Sequence, residues 1–189
     1  MVGGDDLIVS VTADRAWPFT LAYLSEFSRQ IAGIAGVPPV LLEPVPPSAS
    51  AGLVFAHLKF PFRRAAELAA EQLRAAKKDF RGAEPAVAWL DVTQDGERRP
   101  AAQCPWSLDA LTGASDAVRA LRADVPASGR AALSRLVDAA RPELSLARVR
   151  EHARRLERDA ALTPFLGAGV PAADARKVAA ALSLARWWR

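Results

Sequence analysis

Cysteine is almost absent from this chain of 189 residues: Cys104 stands alone. A single thiol excludes an internal disulfide and argues against a structural zinc site, which draws on several Cys or His ligands. Long hydrophobic runs are missing too, since no stretch approaches the roughly 20 apolar residues that span a bilayer. No charged-then-apolar leader is read, so a cytoplasmic location with no membrane association is the expectation. Nor is charge of one sign in great excess. The chain has 25 Lys and Arg against 21 Asp and Glu, for a formal charge of +4 and a pI near 9.8. That balance is compatible with a nucleotide or RNA partner and does not demand one.

What is present is apolar residues, at 51% of the chain, enough for one sizeable core or two small domains that share an interface. The stretch that organises the rest comes first: Gly3-Gly4-Asp5-Asp6 runs directly into the apolar segment Leu7-Ile8-Val9-Ser10-Val11. A glycine pair tolerates positive φ and close backbone approach, so it reads as a tight hairpin turn. The strand predicted over 7–11 would hold two adjacent carboxylates at the mouth of that turn. Paired carboxylates suit hard, oxygen-loving Mg²⁺ (or Mn²⁺), and the bare glycine backbone leaves room for phosphates, as two-metal phosphoryl transfer needs. A solvated acidic turn is the plain alternative for the same four residues.

Helical spacing of Trp17, Leu21, Leu24, Phe27, Ile31 and Ile34 predicts a helix over 16–34, with Pro18 in its first turn and Gly33 and Gly36 ending it. A proline-rich connection over 35–51 leads to a strand over 52–58, with His57 and Lys59 at its end. For these two a hydrogen-bonded strand-end His and a solvated Lys are the plain readings. A second helix from Pro61 to Lys78 carries the stripe Phe62, Ala65, Ala69, Leu73 and Ala76, and Lys77 and Lys78 sit in its last turn. A strand over 86–93 follows, closed by Asp95-Gly96. The second half is helical, over 115–123, 127–140, 145–160 and from Ala172 on. Arg148, Arg150, Arg154, Arg155 and Arg158 line one face there, as a solvated surface or as a track for RNA phosphates. The closing Trp187-Trp188 pair is too apolar to stand in water and is expected to dock on the helices or on a partner subunit.

The motifs together carry a resemblance. Gly3-Gly4-Asp5-Asp6 with Leu-Ile-Val behind it resembles the GGDD hairpin of the cyclase-like palm in the large subunit of type III CRISPR effector complexes. Ser50 to Phe62, reading small residue, Gly, apolar run, His57, Lys59 and Pro61, is similar to that family's strand and turn. The helix ending Ala-Ala-Lys-Lys is similar both to that family and to GGDEF diguanylate cyclases. Arg98-Arg-Pro100 and Trp106-Ser-Leu-Asp109 resemble the segment that leads into the family's C-terminal helical domain.

The resemblance implies an α+β chain: a partial ferredoxin-like palm of the GGDEF or cyclase type over 1–96, followed by a C-terminal helical bundle over 97–189. It implies an ATP-binding palm that makes cyclic oligoadenylate when target RNA is recognised in antiviral defence. Asp5 and Asp6 would be the catalytic metal ligands, and Gly3, Gly4, Lys59 and Lys77 would line the nucleotide. The implied partners are other subunits of an RNA-guided complex with its guide and target RNA. The family's hairpin is preceded by further strands and a third acidic ligand, so an upstream palm half is expected to be required, with no activity from the chain alone. The other readings are a non-catalytic RNA- or subunit-binding module and a diguanylate-cyclase-like enzyme.

Overall fold

The computed structural model describes residues 2–3, 6–32, 48–101, 103–167 and 169–188, with the backbone alone at 2, 3 and 6. The expected helix end at Gly33 and Gly36 and most of the proline-rich connection lie outside the described residues. The chain is α+β and falls into two compact units. The first comprises 1–99 and 105–112, the second 100–104 and 113–189.

The first unit opens with β1 (Val2–Gly3) and β2 (Asp6–Leu7), which pair antiparallel. Helix α1 (Ala13–Ala32) follows. It starts earlier than the sequence predicts, because the turn closed by the Arg15 amide on the Thr12 carbonyl (2.9 Å) already has helical sense. Pro18 therefore lies inside the helix instead of opening it. Trp17, Thr20 and Leu24 are buried. Thr20 joins the apolar face because its hydroxyl donates to the Ala16 carbonyl at 2.8 Å, which satisfies the one polar atom it brings.

Strand β3 (Ser50–Phe55), helix α2 (Phe62–Phe80) and strand β4 (Ala86–Asp91) form a parallel crossover, with Ser50 opposite Ala86 and Phe55 opposite Asp91. A single helical turn, α3 (Val92–Asp95), ends β4 two residues before the predicted strand end. The Asp91 carboxylate caps it by accepting the Thr93 amide at 3.0 Å. Strand β5 (Trp106–Ser107) pairs antiparallel with the start of β4 and runs into α4 (Leu108–Gly113), where the Ser107 hydroxyl accepts the Ala110 amide at 3.2 Å. The sheet order is β3-β4-β5.

The two faces of this sheet differ in kind. Gly52 stands where α2 crosses: a Cβ there would drive into the Ala69 carbonyl oxygen and the Leu73 amide nitrogen. Ala76, Ala86 and Ala88, all buried, line the same close approach of helix to sheet. The centre of the α2 face is Leu68, Gln72 and Ala76. The expected stripe is displaced, with Ala65, Ala69 and Leu73 half-buried and Phe62 exposed. The opposite face is aromatic. Trp17 packs edge-on to Trp89 (centroids 5.3 Å) and against Phe55 (6.0 Å), and Trp89 is edge-on to Trp106 (6.5 Å).

The second unit holds α5 (Ser115–Asp124), α6 (Ala127–Leu136), α7 (Pro142–Arg155), a 3-10 helix (Asp159–Phe165) and α8 (Pro171–Trp187). The expected helix over 145–160 begins sooner, because Pro142 is well suited to a first helical position. It also ends sooner, at a left-handed Glu157 (φ 56°). Helix α8 packs against α5, α6, α7 and the 3-10 helix, and Ala180 to Ala185 are buried on every side. Its alanines let those neighbours approach from all directions. Trp188 is buried within the same unit, as expected of the closing tryptophans.

Candidate functional site

The hairpin register sets Gly3 opposite Asp6 and Val2 opposite Leu7. Val2 and Gly3 thus supply two residues of the strand that precedes the turn. Gly4 and Asp5 lie outside the described residues, and Asp6 is described in backbone only. Strand pairing stops at Leu7, short of the predicted strand over 7–11. Leu7, Ile8, Val9 and Val11 are all exposed, at 40 to 48%. Among the described residues no group of three or more His, Cys, Asp or Glu gathers to hold a metal ion.

The two candidate lysines do not converge. Lys59 lies in the turn after β3, where the Phe60 amide donates to the His57 carbonyl at 2.8 Å, and both His57 and Lys59 are exposed. Lys77 is exposed in the last turn of α2. At 1.5 Å per residue the helix separates the two ends by about 22 Å, so a single nucleotide engages at most one of them. The Lys77 end is the one beside the start of β3, where the Ser48 hydroxyl donates to the Gly82 carbonyl at 2.7 Å.

Sequence reasoning passed over Asp91, a buried carboxylate at the carboxyl end of the sheet's middle strand. Its bonds to the Thr93 amide and hydroxyl make it a cap, and the spacing Asp-x-Thr is the signal that could have found it. Part of the expected arginine face, on α7 and just past its end, is engaged. Arg154 and Arg155 pair with Glu151 at 3.5 and 3.1 Å, and Arg158 donates to the Asp124 carbonyl at the end of α5 at 2.8 Å. Arg130 likewise donates to the Arg122 carbonyl (2.9 Å) and the Val125 carbonyl, and Arg122 to the Trp188 carbonyl. These guanidinium groups close helix C-termini, where free carbonyls and the negative dipole end favour a cation. Burial, with the Arg122 and Arg186 charges adding to it, holds the Arg130 guanidinium below the usual arginine range.

Residues 1–83 match the family described as Cas10/Cmr2, second palm domain. The match covers the hairpin, α1, β3 and α2, and it supports the chain's being part of a type III CRISPR large subunit, a component of a multi-subunit effector complex. Neither the curated proteins nor the solved structures gave a match. No helix among the described residues is long and apolar enough to cross a membrane.

Proposed function

We propose that the first unit is a nucleotide-binding palm that condenses ATP into cyclic oligoadenylate when an RNA-guided complex recognises its target. The observation that carries this reading is the hairpin register, Gly3 opposite Asp6, within a stretch that matches a second palm domain. Such a register puts the backbones of Gly3 and Asp6 side by side at the hairpin. The donor chemistry of Asp5 and Asp6, two adjacent carboxylates, fits Mg²⁺ or Mn²⁺, which when bound would neutralise the triphosphate and raise the acidity of the attacking 3′-hydroxyl. Gly3 and Gly4 would leave the backbone open to the nucleotide. Lys77 is the lysine we assign to phosphate, and Lys59 is left for another role.

The palm is completed by a further strand. Among the described residues β3 pairs on one side only, with β4, although its sequence Ser-Ala-Gly-Leu-Val-Phe is apolar on both faces as an interior strand requires. An open apolar edge of that kind accepts a strand from another segment or subunit. The same edge supports the second reading, a subunit-binding module without catalysis.

Reconstitution of the effector complex with ATP, Mg²⁺ and target RNA separates the two. Oligoadenylate that disappears with Asp5→Ala plus Asp6→Ala is the expected result. Product that persists in the double variant sinks the metal assignment, and an assembled complex that makes none leaves the subunit-binding role.

A further inference from the structure

The last turns of α2 carry cations that the rest of the chain does not answer. Arg74, Lys77, Lys78 and Arg81 are exposed, and none of their side chains makes an ion pair or hydrogen bond among the described residues. Elsewhere on the helices exposed arginines meet a carboxylate three or four residues away, as Arg29 meets Glu26, Arg63 meets Glu67 and Arg119 meets Asp116. At the end of α2 the same spacings set cation against cation. Arg74 stands three and four residues before Lys77 and Lys78, and Arg81 stands four and three residues after them. Like charges so placed are neighbours on a helix and weaken it. The carboxylate at such a spacing on the helix, Glu71 three residues before Arg74, approaches Arg64 at 3.9 Å instead.

The negative end of the helix dipole favours cations in the last turn, which accounts for Lys77 and Lys78 and fades before Arg74. It does not explain why Arg81 stands where the backbone favours glycine. Arg81 ends the helix in the left-handed region (φ 51°), its amide donating to the Lys77 carbonyl at 2.8 Å. Glycine suits that conformation best, and here it comes one residue later, at Gly82. A long cation thus occupies a strained position beside others of its own sign.

We propose that Arg74, Lys78 and Arg81 form a track for the phosphodiester backbone of a single nucleic-acid strand. At 1.5 Å per residue the three positions cover about 10 Å along the helix. A row of that length meets successive phosphates, and such contacts position a strand without reading its bases. Lys77, on the flank of the row, stays with the nucleotide assigned to it above. The track depends neither on that assignment nor on catalysis. An acidic protein is a poorer occupant, because protein interfaces gather around apolar and aromatic anchors and this face exposes none. Ala76 is buried, and Ala75 and Phe80 are half-buried against the sheet's alanines.

The test is binding of the purified full chain to a mixed-sequence single strand of about 20 nucleotides, as RNA and as DNA, between about 50 and 200 mM salt. Both should bind, with log K falling against log salt at a slope of about −2, as three phosphate contacts on a single strand require. Arg74→Gln with Lys78→Gln should bring the slope to about −0.7 and weaken binding by more than about tenfold in low salt. This variant should melt no lower than the wild type, since it loses like-charge neighbours. Arg63→Gln with Arg119→Gln removes the same charge from arginines that already have carboxylates, and should leave the slope unchanged. An unchanged slope in the track variant overturns the proposal, as does an equal loss in the control, which would make net charge the cause. Binding to one sugar type alone overturns it too, because charge does not read the 2′-hydroxyl. So does a wild type that binds neither strand, and one that binds polyglutamate instead points to an acidic protein. Each of these outcomes leaves the ATP reading standing, because Asp5, Asp6 and Lys77 are intact in every variant.

Discussion

The two units bury their apolar residues to very different degrees. In the helical unit, α8 is wrapped by its neighbours, and the described exposed large hydrophobics there are Leu144 and Val170. In the sheet unit they are Leu7, Ile8, Val9, Val11, Phe19, Tyr23, Leu58 and Phe62. Its aromatic core is sealed around Trp89, yet its strand edge, its turn and the outer face of α1 all present apolar surface. Phe19 and Tyr23 even stack on each other there, with centroids at 6.1 Å. A helical unit built around a central helix satisfies itself. A sheet of three strands ends in an edge, and what satisfies that edge has to be supplied from elsewhere. The unit with the Gly-Gly-Asp-Asp hairpin is thus the one whose described residues leave more apolar surface in water.

The strongest way to break this contrast is Gly52→Ala. Its methyl group meets backbone on α2, which cannot rotate away, so the sheet unit should lose about 3 kcal/mol. Calorimetry should then resolve two transitions, the lower one carrying the near-ultraviolet signal of Trp17, Trp89 and Trp106. A single unshifted transition would mean that the helix and sheet are less closely packed than the structure has them. Arg130→Met acts on the other unit. It removes the donors to the Arg122 and Val125 carbonyls at the end of α5, and about 1.5 kcal/mol of stability should go with them. The transition of the helical unit should move and that of the sheet unit should not.

The smallest effect sharpens the picture of the outer face of α1. Hydrogen bonds from Arg29 and then Gln30 lower the Glu26 carboxyl to a pKa of about 2 from its usual 4.5. A lowered folded-state value means that this interaction is fully present above pH 4.5 and is lost as the pH falls toward 2. Glu26 is exposed, so salt should weaken the effect. A carboxyl carbon titration by NMR should find the midpoint near 2, and Arg29→Met should return it toward the ordinary range. An unchanged midpoint in that variant would remove the ion pair as the cause.

Much of the element order was legible because period-2 and period-3.6 patterns are local. Trp17 and Leu24, the strand around Leu53 and the stripe through Val178 and Leu182 all declare themselves in short windows. What escaped depends on partners distant in sequence. Strand β5 is two residues long and exists because Trp106 and Ser107 meet Val87 and Ala86, and no local pattern predicts that pairing. Leu7 to Val11 has the composition of a strand, but a strand is defined by its ladder, and the ladder with β1 runs only as far as Leu7. The face of α2 turned toward Leu68 and Gln72 because Gly52 fixed where the helix could come closest. For the candidate site, residue types and spacing pointed to the hairpin. That Lys59 and Lys77 lie at opposite ends of one helix became apparent only in three dimensions.

The central position of α8 has a consequence for how the protein is made. Helices α5, α6 and α7 precede it in the sequence, so a ribosome delivers all three before the element that covers them. Until Pro171–Trp187 has emerged, their apolar faces have no common core to join. The helical unit should therefore gain its stability in one late step of synthesis, and a chain stopped before Pro171 should expose three amphipathic helices to the cell's proteases.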